Sequence, residues 1–314
     1  MENIIFVIDG NLIAHSNITT WPTETSNCDK GYCNALSEMS FYYMRNLIIR
    51  GRYDENPYYR LIQFISTIDL SYISGRIDGQ GYGWWWYAIS CALPSANHSD
   101  TRGDMLYIYQ SENILIEGLS FINSPKYHLN LKDNNNITVR NFVIEVDVFR
   151  QKKLFSDNGL LDENYGIPTF PLNTDGIDPA SSNVHIYNGS ITNFDDAVAF
   201  KPCRTDYLVC NSCANGLVEN LQVTYSVGMT IGSVPPNINT YCIKDVTFRN
   251  ITMKQPLKGI YIKSNPGDAG KGIIQNILYE NIFMTESLWW PIWYRIHIYL
   301  IIIITIYKGL VLSK

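Results

Sequence analysis

The chain has 314 residues, 46% hydrophobic, 13% aromatic and 17% charged, enough to bury a substantial core in one large or two ordinary domains. A formal net charge of -5 at pH 7, with no Lys/Arg-rich run, speaks against a nucleic-acid partner, because phosphate binding needs clustered cations. An acidic polymer would have to be met by a few individually placed cations.

The opening stretch, MENIIFVIDGNL, lacks a basic start, a clean apolar run and a small-residue cleavage site. No signal peptide is visible there, and a strand is predicted. Cys28 and Cys33 are spaced for a short disulfide loop. From Leu36 to Arg50 the apolar residues Leu36, Met39, Tyr42, Tyr43 and Leu47 suggest a loosely helical or loop segment.

Further along, a repeat takes over. The pattern Asn/Asp, Ile/Val, x, aliphatic or aromatic, x, Asn/Gly, apolar recurs, with some slack at the last two places, from Asn113, Asn136, Asn183, Asp245 and Asn276. The intervals of 23, 47, 62 and 31 residues correspond to one, two, two to three and one coils of a solenoid carrying insertions. This predicts an all-β protein, a single-stranded right-handed parallel β-helix. In such a coil alternate side chains point inward, so Ile114/Ile116, Ile137/Val139, Val184/Ile186, Val246/Phe248 and Ile277/Tyr279 should form inner columns. Asn and Gly, which tolerate left-handed backbone angles, should mark the turns, with buried Asn amides laddering between coils. A sandwich of hairpins is the alternative, but its Asn-Gly and Asp-Gly turn dipeptides are sparse.

Residues 150–171 form a long insertion of the kind that shapes a groove on a solenoid. Next come Asn173-Thr-Asp-Gly-Ile-Asp178 and Asn193-Phe-Asp-Asp-Ala-Val-Ala-Phe-Lys201. Glycosidic cleavage needs one carboxylic acid to protonate the leaving oxygen and a carboxylate to activate water, and Asp175, Asp195 and Asp196 supply both. The 20 residues from Asp175 to Asp195 are about one coil, so these acids should stack as neighbours. Adjacent residues of a regular strand point oppositely, so a bulge or turn must aim both Asp195 and Asp196 at the groove. Crowded like charges raise the pKa of one member and keep a proton available.

Cys210-Asn-Ser-Cys213 has a zinc-like spacing but no second pair and no suitably placed His, so one disulfide within Cys203, Cys210 and Cys213 is expected instead. With seven cysteines, at least one thiol is left over or has its partner outside the chain. Asn-x-Ser/Thr triplets begin at Asn17, Asn97, Asn136, Asn188 and Asn250, as in proteins of the secretory pathway. The apolar run Ile296–Tyr307 is about a dozen residues, short of the roughly 20 that span a bilayer, so no stable membrane span is expected.

The Asn-Thr-Asp-Gly segment followed one coil later by an Asp-Asp pair resembles the polygalacturonases, glycoside hydrolase family 28. Ile77-Asp-Gly-Gln-Gly-Tyr-Gly-Trp-Trp-Trp, Gly228-Met-Thr-Ile-Gly-Ser233 and Gly259-Ile-Tyr-Ile-Lys263 extend the resemblance in the same order along the chain. It implies inverting cleavage of α-1,4-galacturonosyl linkages in a pectic polysaccharide by a secreted, cofactor-free and metal-free enzyme, expected to be a monomer. It makes Asp195 the general acid and gives Asp175 and Asp196 the task of positioning and activating water. Lys263 matches the family's substrate-binding lysine, Asn173 is assigned to orienting Asp175 or binding sugar, and Lys201 stands where exo-type members carry lysine. Val227 replaces a histidine that the family usually places between two glycines, and Tyr261 replaces an arginine in the substrate site. These departures point to an exo-acting subgroup or one acting on rhamnogalacturonan or xylogalacturonan, with a catalytically impaired wall-binding protein and a lyase as rivals. Residues 1–293 are thus read as one catalytic β-helix whose native N-terminus lies upstream. Residues 294–314 are read as an atypical Ile-rich tail foreign to the fold and prone to aggregate.

Overall fold

A computed structural model describes residues 1–29, 32–52, 73–92, 99–159, 169–203, 209–210, 213–235, 241–266, 272–295, 300–306 and 311–313. The chain begins with β1 (Glu2–Ile8), β2 (Gly10–Ile13), a 3-10 turn at Ile18–Thr20, β3 (Thr23–Asp29), β4 (Tyr32–Ala35), β5 (Met39–Tyr42), β6 (Arg45–Gly51) and β7 (Gly75–Asp78). The helix α1 (Tyr82–Ala92) precedes β8 (Leu106–Tyr109), β9 (Glu112–Ile122) and β10 (Leu129–Glu145). After α2 (Val148–Asp157) come β11 (Ile177–Asn193), β12 (Asp196–Phe200), β13 (Ala214–Tyr225), β14 (Gly228–Val234), β15 (Tyr241–Lys254) and β16 (Lys258–Ser264). The last are β17 (Gly272–Thr285), β18 (Trp290–Arg295), β19 (Leu300–Ile306) and β20 (Val311–Ser313).

All but two of these strands join one parallel system, and β3 with β4 makes a separate antiparallel hairpin. One wall of the solenoid stacks β6, β9, β10, β11, β13, β15 and β17 in succession. A second wall stacks β5, β8, the starts of β10 and β11, then β12, β14, β16 and β18. The long strands β10 and β11 bend from one wall into the next, so each turn of chain contributes to several faces. This is a right-handed parallel β-helix, the hand that parallel strand crossovers take.

The interior follows from period-two alternation. In-register pairing aligns Ile49, Ile116, Val139, Ile186, Val218, Phe248 and Tyr279 in one inward column. None of them is more than 1% exposed. The neighbouring column runs Leu47, Ile114, Ile137, Val184, Gly216, Val246 and Ile277. Phe200 approaches the space that Gly216 leaves and contacts Phe248, which stacks on Tyr279 with ring centroids 4.9 Å apart. All ten inward residues expected from the repeat lie in these columns.

The turn asparagines ladder along the outside. Asn46 donates to Asn3 at 2.8 Å, Asn113 to Asn46 at 2.9 Å and Asn136 to Asn113 at 2.7 Å. Asn220, Asn250 and Asn281 continue a second ladder from Asn188. Each has φ between 53° and 58°, the left-handed region that Asn accepts because its short amide bonds locally. The ladders are exposed rather than buried, since a left-handed corner throws the side chain outward. The triplets at Asn136, Asn188 and Asn250 lie in these ladders, Asn17 caps the 3-10 turn, and Asn97 lies outside the described residues.

Several expectations need correction. Leu36–Arg50 contains β5 and β6, not a helix: the run Arg45–Gly51 alternates around fully buried Leu47 and Ile49. The 47-residue interval is one coil, because β10 pairs directly with β11 and the excess forms α2 and its loop. The 62-residue interval is two coils, through β13, whose Gly216 obscures the pattern. The insertion opens with α2, and its residues 160–168 lie outside the described set. The helices meet where Tyr82 of α1 contacts Phe155 of α2, in a small side core with Trp85 and Val146.

Disulfides join Cys203 to Cys210 and Cys213 to Cys242, the second tying neighbouring coils. The zinc-like pair is thereby split between two bridges. Cys28 and Cys33 are partners in the hairpin register and Cys33 is disulfide-bonded, while Cys91 remains a thiol. The backbones of β19 and β20 pair in parallel with β17, so the tail adds rungs to the coil; its side chains from 296 onward lie outside the described residues. Among the described residues no helix is long and apolar enough to cross a membrane.

Truncating the middle of the aromatic stack removes contacts on both sides. Phe248→Ala should cost about 3–5 kcal/mol, read as a lower denaturant midpoint in equilibrium unfolding.

Candidate active site

The second wall places the acids. Leu129, Ile177, Val198, Met229 and Ile260 align across its rungs and are buried in the interior, so the residues next to them face out. Asp175 lies just before β11, and Gly176 donates its N–H to the carbonyl of Asp196 on the next rung at 2.9 Å. The register between β12 and β14 is irregular between Asp196 and Val198. That irregularity lets the sequence neighbours Asp195 and Asp196 face one trough. One carboxylate oxygen from each of Asp175, Asp195 and Asp196 lies within 4.8 Å of the others. This is closer than the roughly 6.5–9.5 Å expected between acid and base in inverting enzymes generally, because the residues sit on adjoining rungs spaced about 4.8 Å apart.

Their partners differ. Asp196 is fully buried and accepts from Thr230 Oγ1 at 2.6 Å and from Lys263 Nζ at 2.7 Å. Asp195 accepts backbone N–H groups of Asn173 at 3.1 Å and of Asp196 at 3.0 Å. Asp175 is 4% exposed, and its Oδ1 has no hydrogen-bond partner among the described residues. Lys201 stands 3.6 Å from Asp178 and 3.8 Å from Asp196.

Asp178, which sequence reasoning left out, completes a set of four carboxyls facing two ammoniums. Burial pushes its pKa up to about 6 against the opposing pull of Lys201. Burial, then the charges of Asp178, Asp195 and Asp196, hold Asp175 well above the usual carboxylate range. Burial and Asp196 also raise Asp195. Burial opposes the charge of Lys201, yet the surrounding acids prevail and push its pKa up. With Lys263 and Lys201 paired to Asp196 and Asp178, Asp175 and Asp195 make no ion pair among the described residues and share the tendency to retain a proton. The three clustered oxygens are also near enough to chelate a cation, and the positive charge described at the site is that of the two lysines.

The surroundings fix this geometry. Asn173, at φ 57°, bonds Asp195 through its backbone while its side chain accepts from Arg102 at 3.2 Å. It therefore orients Asp195 rather than Asp175. Arg102, buried, also binds Asp100 and the carbonyls of Pro125 and Leu172, locking the loop ahead of Asn173. His128 is fully buried; its Nδ1 donates to the Asp175 carbonyl at 2.9 Å, and its Nε2 takes the Ser124 N–H at 3.4 Å. Burial lowers its pKa to about 4, so it is a neutral bracket. Nothing in local sequence marks Arg102 or His128, whereas Asp178 could have been found by alternation with the inward Ile177.

Val227 donates its N–H to the Asp195 carbonyl at 2.7 Å, so the position matched to the family's histidine lies against the acid with a side chain that cannot hydrogen-bond. Tyr261 faces outward between two ammoniums, Lys258 at 3.9 Å and Lys263 at 4.7 Å from its ring centroid. Lys258 brings a cation near the position where the family has arginine.

Fold and site together define a parallel β-helix with an aspartate trough on one outer wall. Residues 34–295 match the model of glycosyl hydrolases family 28. The chain is 29% identical to an exopolygalacturonase of Rhizopus delemar over 74% of its length and 50% of that protein. It is 28% identical to an endo-polygalacturonase of Pectobacterium carotovorum subsp. carotovorum over 68% of its length and 47% of that protein. With a probable endo-xylogalacturonan hydrolase A of Aspergillus flavus the identity is 31%, over 67% of this chain and 45% of the other. The chain spans about half the length of these curated relatives. The solved polygalacturonase from Erwinia carotovora ssp. carotovora shares the fold with a TM-score of 0.64 and 21% identity, over 93% of this chain and 68% of that one. The chain belongs to glycosyl hydrolase family 28.

Asp175 provides a test of the electrostatics. A carboxyl whose pKa is raised in the fold binds its proton more tightly folded than unfolded, so it subtracts stability as pH climbs above the ordinary Asp value near about 4. Asp175→Asn removes that cost. Its melting temperature should exceed that of the unsubstituted chain by a few degrees at pH 7, the difference vanishing near pH 3.5, as measured by calorimetry.

Proposed function

We propose that the chain is a glycoside hydrolase that cleaves galacturonosyl linkages of a pectic polysaccharide with inversion. The observation that carries this reading is the division of labour in the trough. Burial and the charge of Asp196 raise the pKa of Asp195, which makes no ion pair among the described residues, whereas Asp196, less than 5 Å away, is ion-paired with Lys263. Asp195 with its proton acts as general acid toward the glycosidic oxygen. Asp196 draws a proton from water as it attacks the anomeric carbon, and Asp175 positions that water. Lys263 and Lys201 face uronate carboxylates, Tyr261 offers its ring to a sugar, and Asn173 positions the acid through its N–H.

The enzyme works as a monomer, since all these groups come from one chain, and outside the cell, where the disulfides at Cys203–Cys210 and Cys213–Cys242 persist. Tyr261 in place of arginine favours a substituted galacturonan or exo-action, in line with the mixed activities named for the relatives. The 4.8 Å clustering favours a second reading, retention through a covalent intermediate, because short acid–nucleophile separations accompany that course.

Incubation with homogalacturonan, xylogalacturonan and rhamnogalacturonan should release new reducing ends from one of them, without an ultraviolet-absorbing unsaturated product. Asp195→Asn should lower that rate about 10³-fold. Proton NMR during the first minutes should show the inverted anomer first; the retained anomer first would replace inversion by retention. Pectin binding with no turnover, unaffected by Asp195→Asn, would reject the hydrolase altogether.

A further inference from the structure

We propose that the first rungs of the solenoid hold a ligand site separate from the aspartate trough: a cavity between β2, β5 and β7 that takes an organic cation with an apolar, aromatic body, its ammonium on Glu38 and its body against Trp21. Such a site exists whether or not the trough hydrolyses pectin. It lies beside β5, three rungs before β11 in the order β5, β8, β10, β11.

The cavity measures about 550 Å³, within the range of sites that hold small organic molecules. Its walls form where the hairpin of β3 and β4 meets the first coils. Leu12 and Ile77 are register partners across β2 and β7, and both line it, Ile77 from the buried interior. Ile13, Leu36 and Met39 add apolar surface. The indole of Trp21, also in the lining, is held in place. Its Nε1 donates to the Leu36 carbonyl at 2.8 Å, and its ring meets Trp84 edge to face with centroids 5.9 Å apart. Leu12, Ile13 and Leu36 are exposed side chains that gain by burial against an apolar body.

The polar group of the cavity is Glu38. Its N–H donates to the Asp104 carbonyl at 3.0 Å, which fixes the backbone, and Gly79 makes room for its side chain: a Cβ there would lie 2.5 Å from Glu38 Oε1. The carboxyl itself makes no hydrogen bond or ion pair among the described residues, and Oε1 is buried. A carboxyl packed without a partner costs stability that a ligand can offset.

Charge decides which ligand. The titratable and charged groups on the elements around Glu38 all have partners within the protein. Asp78 and Arg76 of β7 pair at 2.7 Å, His15 accepts the Asn17 N–H on Nδ1 at 3.1 Å, and Asp104 accepts from Asn130 at 2.7 Å. No lysine or arginine lines the cavity among the described residues. Burial, then the charge of Asp78, pushes the pKa of Glu38 up to about 8. An anion would therefore meet carboxyls with no cation to receive it. An ammonium instead displaces the Glu38 proton to solvent, pairs with the carboxylate and finds an aromatic face in Trp21.

The probe is tryptamine, and its neutral control is tryptophol, which carries a hydroxyl in place of the ammonium on the same indole. Both are titrated calorimetrically into the full chain at low salt. At pH 8 tryptamine should bind with a Kd of about 100 µM or tighter. It should exceed tryptophol about tenfold, the effect of one charge-assisted contact. Because the Glu38 proton must leave, affinity should rise about tenfold from pH 6 to pH 7, and buffers of different ionisation heat should report about one proton released per ligand. Glu38→Gln, shown to be folded by an unchanged melting transition, should lose both the preference for tryptamine and the pH slope. Ile13→Lys, which sets a cation on an exposed part of the wall, should weaken tryptamine more than tryptophol. No tryptamine binding at millimolar concentration, or equal affinity for the two probes, would overturn the site. Tryptamine binding unchanged in Glu38→Gln would place the amine elsewhere, such as in the trough, and a pH slope surviving in that variant would trace to His15; either result also overturns it.

Discussion

Parallel in-register stacking governs everything else in this molecule. Once a strand lies directly over its predecessor, side chains at equivalent positions are forced into columns about 4.8 Å apart, whatever their chemistry. Inside, the columns must be apolar, and they are, from Ile49 through Tyr279. At the corners the same constraint turns isolated Asn residues into amide ladders, in which each rung satisfies the one before it. On the outer wall it crowds carboxyls that would repel one another in solution.

That crowding costs stability and creates chemistry. Four buried or half-buried carboxyls face two lysines, so charge is not balanced, and the deficit falls on Asp175 and Asp195. A surface aspartate would simply ionise. Here desolvation and neighbouring anions keep a proton within the trough, while Lys263 and Thr230 fix Asp196 as its counterpart. The side chains around them explain why the repulsion does not open the site: Arg102 binds the carbonyl of Leu172 ahead of Asp175, and His128 binds the carbonyl of Asp175 itself, holding the strand entry.

The departures at Val227 and Tyr261 take physical form in this setting. Val227 keeps the backbone bond to Asp195 but leaves the acid without a side-chain hydrogen bond there. Tyr261 exchanges a guanidinium for a ring pressed between Lys258 and Lys263, so the positive charge is displaced along the wall instead of being lost. Under the proposed function, a substrate carboxylate would meet ammonium rather than a bidentate fork, which loosens geometric selection while keeping charge selection.

How much of this was legible in the sequence depends on whether the relevant rule is local. Alternation and the Asn-led repeat are local, and they determined the β-helix, the inner columns and the coil-length spacing of Asp175 from Asp195/Asp196. Asp178 was within reach of the same alternation. Where a coil took up an insertion, as before β11, the count of coils went astray, and where one lost its marker, as at Gly216, the count stayed open between two and three. The repeat reports interval length and not which strand pairs with which. Arg102, His128 and the Cys213–Cys242 bridge join residues tens of positions apart. Tertiary structure alone decided them, because a stacked solenoid sets neighbours by rung, and insertions of varied length between rungs erase any fixed sequence distance.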